Sequence, residues 1–175
     1  WKADGHGNMN LNDAIKKSCN VYFYNLMQKV DFDTWYSEAK KFGFGELTGI
    51  DLPGENKGKV PNRAFMNQFY KKSGGWSKGH LLNLSIGQGE VSVTPIQILQ
   101  LVNLIATNGQ TFIPHLNFNT DKKYFELDYN NNVWEILNAA MYEAVNGFEG
   151  TAHNASINKK HGIVEYEVAN TKEGQ

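Results

Sequence analysis

Ser18 and Asn20 stand two residues apart inside NDAIKKSCNVYFYNL, the segment from Asn12 to Leu26. Around them Leu11, Ala14, Ile15, Tyr22 and Leu26 recur at helical spacing, so a hydroxyl and a carboxamide occupy a stripe where packing would prefer carbon. A hydroxyl can pass a proton, and a carboxamide can donate and accept hydrogen bonds at once. On a continuous helix, residues two apart point about 200° away from each other and could share no task. If the helix instead breaks at Ser18-Cys19-Asn20 and restarts with Asn20 as its cap, both side chains can project into one cleft. The alternative is a serine bonded back to a carbonyl one turn earlier, with Asn20 simply exposed. Cys19 is expected to be a small buried filler, and Tyr22, Phe23 and Tyr24 to be core.

Other chemistry is thinly represented. One cysteine excludes an internal disulfide or a multi-cysteine metal site. The five histidines form no close pair and no H-E-x-x-H, so neither a metal nor an organic cofactor is expected. Gly87-Gln88-Gly89 completes no phosphate-binding pattern, because Ser92 fills the third glycine position. A formal charge of −1 without a basic stripe argues against nucleic acid as a partner. No apolar run approaches the roughly 18 to 20 residues of a membrane span. Trp1 has no preceding Met, and the chain is expected to begin inside a longer protein.

The elements that must position the pair are mostly helical. With 41% hydrophobic and 20% charged residues, the 175-residue chain has the composition and length of one globular domain. Asn10 or Asn12 can cap a helical region over 11–29, and a second helix over 32–42 stops at Gly43. The segment 43–61, dense in Gly, Pro and charge, reads as an ordered meander. Leu81 to Ile86 is a short apolar run. Thr94-Pro95 opens a helix whose apolar face is expected to be Ile96, Leu99, Val102 and Ile105. Residues 111–118 look extended, 132–146 helical, and 163–169 alternate as a half-buried strand. The expected class is α+β and rich in helix.

Several stretches follow one another in a familiar order. They are His6-Gly7, SCNVYFY at Ser18 to Tyr24, the Gly-rich run from Phe42 to Pro61, and W..G...N.SIGQG...VTP.Q from Trp76 to Gln97. NG....PH from Asn108 to His115 and GTA at Gly150 to Ala152 complete the series. This order resembles the transpeptidase domain of the penicillin-binding protein 2 family, the class B peptidoglycan transpeptidases of bacterial cell elongation. The resemblance implies the helix-rich part of a penicillin-binding-protein/β-lactamase-like domain, with residues 1–175 a partial transpeptidase domain. It implies a serine acyltransferase acting on D-Ala-D-Ala stem peptides through three motifs, S-x-x-K, S-x-N and K-T-G. Ser18 would be the hydroxyl that relays a proton toward the leaving group, and Asn20 would hold the substrate amide and orient the nucleophile's lysine. Gly87-Gln88-Gly89 would be a turn lining the cleft, and Gly150-Thr151-Ala152 a helix start near the site. The implied partners are peptidoglycan stem peptides, β-lactams and proteins of the elongation machinery. The implied location is the extracytoplasmic, periplasmic face of the inner membrane, with an anchor outside this chain.

Two of the three motifs depart from the pattern. S-x-x-K belongs upstream of S-x-N in the family. The literal matches Ser37-Glu38-Ala39-Lys40 and Ser156-Ile157-Asn158-Lys159 both lie downstream of Ser18, so neither serine is expected to be the nucleophile. Where K-T-G is due, the chain has Lys172-Glu173-Gly174. Lys172 could bind the substrate's terminal carboxylate, but Glu173 would set a second negative charge beside it. The motif is then either degenerate, or the chain end is an altered reading of a normal domain. A pseudoenzyme that recognises penicillin without turnover, and a D,D-carboxypeptidase using water as acceptor, are the alternatives on the same fold.

Overall fold

The computed structural model describes residues 4–117, 119 and 121–156. The strand expected over 163–169 and Lys172 lie outside them. Seven helices and one hairpin make up the described part: α1 Leu11–Lys16, α2 Asn20–Met27, α3 Phe32–Lys41, α4 Arg63–Phe69, α5 Lys78–Leu84, α6 Pro95–Ala106 and α7 Asn131–Asn146. Strands β1 (Gln110–Phe112) and β2 (Tyr124–Glu126) pair antiparallel, with Thr111 opposite Phe125. The helix-rich α+β class is as expected.

Local sequence accounts for most of the boundaries. Asn10 caps α1 by accepting from the Asp13 N–H at 2.8 Å, and Asp31 caps α3 through the N–H groups of Asp33 and Thr34. Thr94 and Gln97 form a reciprocal capping box around Pro95 at the start of α6. The apolar run at 81–86 belongs mainly to α5, a helix opened by the Ser77–His80 capping pair rather than an independent element. Helix α4, capped by Asn62 through the Phe65 N–H, was not anticipated. The extended stretch expected over 111–118 is a strand only through Phe112.

Met27, Phe32, Met66 and Leu84 form a buried core, ringed by Trp35, Tyr70, Trp76 and Leu81. Trp134, 1% exposed, anchors a second packing centre with Phe42 and Tyr129. The meander over 43–61 contains no helix or strand, and Lys59 makes an isolated bridge to Ser92. Buried Gln97 holds it: Nε2 donates to the carbonyls of Glu46 (2.7 Å) and Lys57 (2.9 Å) and approaches that of Gly43 (3.3 Å). Glu55 adds an internal tie, accepting from the N–H and hydroxyl of Thr48.

This arrangement corrects part of the face expected for α6: Ile105 is buried and Ile96 half-buried as read, but Leu99 and Val102 are not. Gln97, Gln100, Leu104 and Ile105 are buried, whereas Leu99 is 51% and Val102 39% exposed among the described residues. The surface opposite α6 includes backbone carbonyls of the meander, and an amide satisfies those where an aliphatic chain could not.

Candidate active site

The helix does break where the polar pair sits. Helix α1 ends at Lys16, Ser18 takes φ = 50°, and α2 begins at Asn20. The Ser18 N–H donates to the Ile15 carbonyl at 3.1 Å and the Cys19 N–H to the Ala14 carbonyl at 2.9 Å. These two bonds define a Schellman ending, with a serine at the left-handed position that glycine usually holds. A non-glycine residue there costs about 1–2 kcal/mol. Strain of this kind clusters where a side chain must be aimed rather than packed.

The break places each polar group differently from the expectation. Cys19, not Asn20, is the N-cap residue of α2, and its side chain makes no capping bond. Asn20 is the first helical residue, exposed, and its carboxamide makes no hydrogen bond within the described residues. It lines a hollow of about 580 Å³ together with His6, Met9, Cys19, Tyr22 and Tyr24. The two tyrosines, expected to be core, are half-buried walls of this hollow, and Cys19 is 6% exposed, the filler it was read to be. Ser18 is exposed and its Oγ lies 2.8 Å from Thr151 Oγ1. Ser18 leaves the helix and meets Thr151, whereas Asn20 stays on α2 and lines the hollow, so these contacts do not bring the pair into the one cleft expected for it.

The last turn of α7 and the segment after it secure this corner. Glu143 pairs with Lys16 at 3.0 Å and Glu149 with Lys17 at 2.6 Å, while the Thr151 N–H donates to the Lys16 carbonyl at 3.1 Å. The hydrogen bond to Glu149 holds the Lys17 ammonium above its usual pKa. Gly150-Thr151-Ala152 is a turn leading into a 3-10 turn, His153–Ala155, and the contact with Ser18 puts it beside the candidate residues, as the resemblance implied. Its direct bond to the serine was invisible in sequence, since 133 positions separate the two.

Ser37 and Lys40 make separate contacts and form no nucleophile pair with each other. Ser37 donates to the Thr34 carbonyl at 2.9 Å on α3, while Lys40 serves the Gly45 carbonyl and the Glu46 carboxylate. Ser156 is buried and bonds Asn146 at 3.3 Å, and Lys159 lies outside the described residues. The turn at Gly87-Gln88-Gly89 has positive φ at both glycines, with Gly87 lining a hollow shared with Trp35 and Phe44. Among the described residues no three metal-ligating side chains cluster, and no helix is long and apolar enough to cross a membrane.

The S-x-N segment thus lies at a helix break beside a hollow, in a helix-rich α+β frame. The family model for the penicillin binding protein transpeptidase domain matches residues 1–169, and the chain belongs to that family. Among curated relatives, the peptidoglycan D,D-transpeptidase MrdA of Haemophilus influenzae is 32% identical over 166 residues, 89% of this chain and 25% of that protein. MrdA of Escherichia coli K12 is 30% identical over 164 residues, 87% of this chain and 26% of that protein. PBP2 of Helicobacter pylori, solved in complex with MreC, superposes with a TM-score of 0.82 at 34% identity, over 91% of this chain and 30% of that one. The chain thus spans about a quarter of the length of these curated relatives.

Proposed function

We propose that this chain supplies the S-x-N part of a peptidoglycan D,D-transpeptidase, an acyl-transfer enzyme that cross-links stem peptides ending in D-Ala-D-Ala. The observation that carries the reading is the left-handed Ser18, which ends one helix and leaves the Asn20 carboxamide without a hydrogen bond to the described residues at the start of the next, beside an open hollow. In the reaction, a serine nucleophile bonds to the penultimate D-Ala carbonyl, the peptide C–N bond breaks, and the terminal D-Ala amine leaves with a proton. Ser18 would deliver that proton and be reprotonated from the nucleophile's lysine. Asn20, with a donor and an acceptor both available, can hold the substrate amide and steady that lysine. Lys172 would complete the site by binding the terminal carboxylate.

β-Lactams would acylate the same nucleophile. The complex of the Helicobacter pylori relative with MreC supports an elongation-machinery protein as partner. An enzyme with this substrate works at the extracytoplasmic face of the inner membrane, anchored through a segment other than the helices described. The test is covalent labelling by a fluorescent penicillin. The full-length gene product should label and lose most labelling on Ser18→Ala, whereas the 175-residue chain alone should not label. Adduct formation at Ser37 or Ser156 would overturn the assignment. A full-length product that binds penicillin without acylation would identify a recognition domain instead.

A further inference from the structure

We infer that Thr151 is a positioning residue for Ser18: its hydroxyl holds the serine side chain in one rotamer. Thr151 is itself tied to the end of α1, its N–H and its Oγ1 lying 3.1 and 3.2 Å from the Lys16 carbonyl. From that anchored place Oγ1 meets Ser18 Oγ at 2.8 Å, and either hydroxyl can donate, so the bond holds the serine oxygen without committing its proton.

This matters because Ser18 is exposed and sits at a strained position, with no helical wall to select its rotamer. Without Thr151 the hydroxyl would sample three staggered wells, and only a fraction of molecules would hold the rotamer seen here. The geometry separates this role from scaffolding. The Thr151 N–H, which caps the end of α1, survives any side-chain replacement, while the hydroxyl bond to Ser18 does not. No bond is made or broken at Thr151.

The inference rests on the proposed acyl-transfer reading, and the experiment distinguishes the two. In the full-length protein, Thr151→Val should slow the acylation step with a fluorescent penicillin by about fivefold, the worth of one neutral hydrogen bond. The dissociation constant of the pre-acylation complex and the melting temperature should be unchanged. Thr151→Ser should restore the rate. In a Ser18→Ala background, Thr151→Val should cost nothing more, because the residue acts through Ser18. If valine perturbs melting, Thr151→Ala takes its place in the same cycle. A wild-type protein that does not acylate overturns the functional reading and this inference with it. A reactive wild type with an unchanged Thr151→Val, or an equal loss in the Ser18→Ala background, overturns the inference alone.

Discussion

Replacing Gln97 with leucine should loosen the meander without altering the composition of either hydrophobic centre. Gln97 is 1% exposed, so its hydrogen bonds carry close to their full value. Its amide has two hydrogens shared among three carbonyls, at 2.7, 2.9 and 3.3 Å, and its oxygen accepts from the Thr94 N–H at 2.9 Å. Counting two donated bonds and one accepted gives three at about 1–1.5 kcal/mol each, a loss of about 3–4.5 kcal/mol. With a urea slope of about 2 kcal/mol/M, the midpoint should fall by about 2 M at unchanged slope. Amide hydrogen exchange should accelerate over 43–61 before it does in α7. Gln97→Glu sharpens the test. A carboxylate keeps the Thr94 bond but turns acceptor oxygens toward carbonyl oxygens, so its folded pKa should be raised. The variant should recover stability relative to wild type as pH falls through that raised value, because the neutral acid regains one donor. A leucine variant within about 1 kcal/mol of wild type would refute the view that this amide ties the segment down.

Three further outcomes follow from particular contacts. At left-handed Ser18, glycine should stay within about 1 kcal/mol of wild type while β-branched valine loses at least about 2 kcal/mol by chemical denaturation; near-equal stabilities would mean the turn is not strained. A Cβ at Gly58 would stand 2.3 Å from the Ser92 carbonyl, backbone that cannot swing aside, so Gly58→Ala should cost about 2–4 kcal/mol and weaken the Lys59–Ser92 bridge, as read by thermal melting and exchange. Burial, reinforced by the hydrogen bond to Glu38, pushes the Tyr129 phenol up to about 12. Because the folded value lies above the usual one of about 10, its contribution to stability is complete below pH 10 and is lost as pH rises through about 12. Phenolate absorbance should show a tyrosine titrating at about 12 whose step disappears in Tyr129→Phe.

Much of the helical framework was legible because caps and breakers act over three or four residues. Asn10 and Thr94-Pro95 mark their boundaries by local hydrogen bonding, and Gly43 marks the end of α3 by its left-handed backbone. The same reasoning could have found α4, since Asn62 after Pro61 is an ordinary cap before PNRAFMNQFY. The interrupted first helix could be posed as a question from the spacing of Ser18 and Asn20, and the chained motifs supplied the family. Periodicity misjudged α6, because a helical wheel assumes an apolar partner and Gln97 faces carbonyls contributed from 40 and more positions away. The left-handed turn at Ser18, which makes Cys19 the residue before α2, closes through local bonds to Ile15 and Ala14, but at a residue type that seldom takes that conformation, so the sequence did not mark it. The grip of Thr151 on Ser18 required the closed chain, because it joins groups 133 positions apart, which residue type and spacing do not encode.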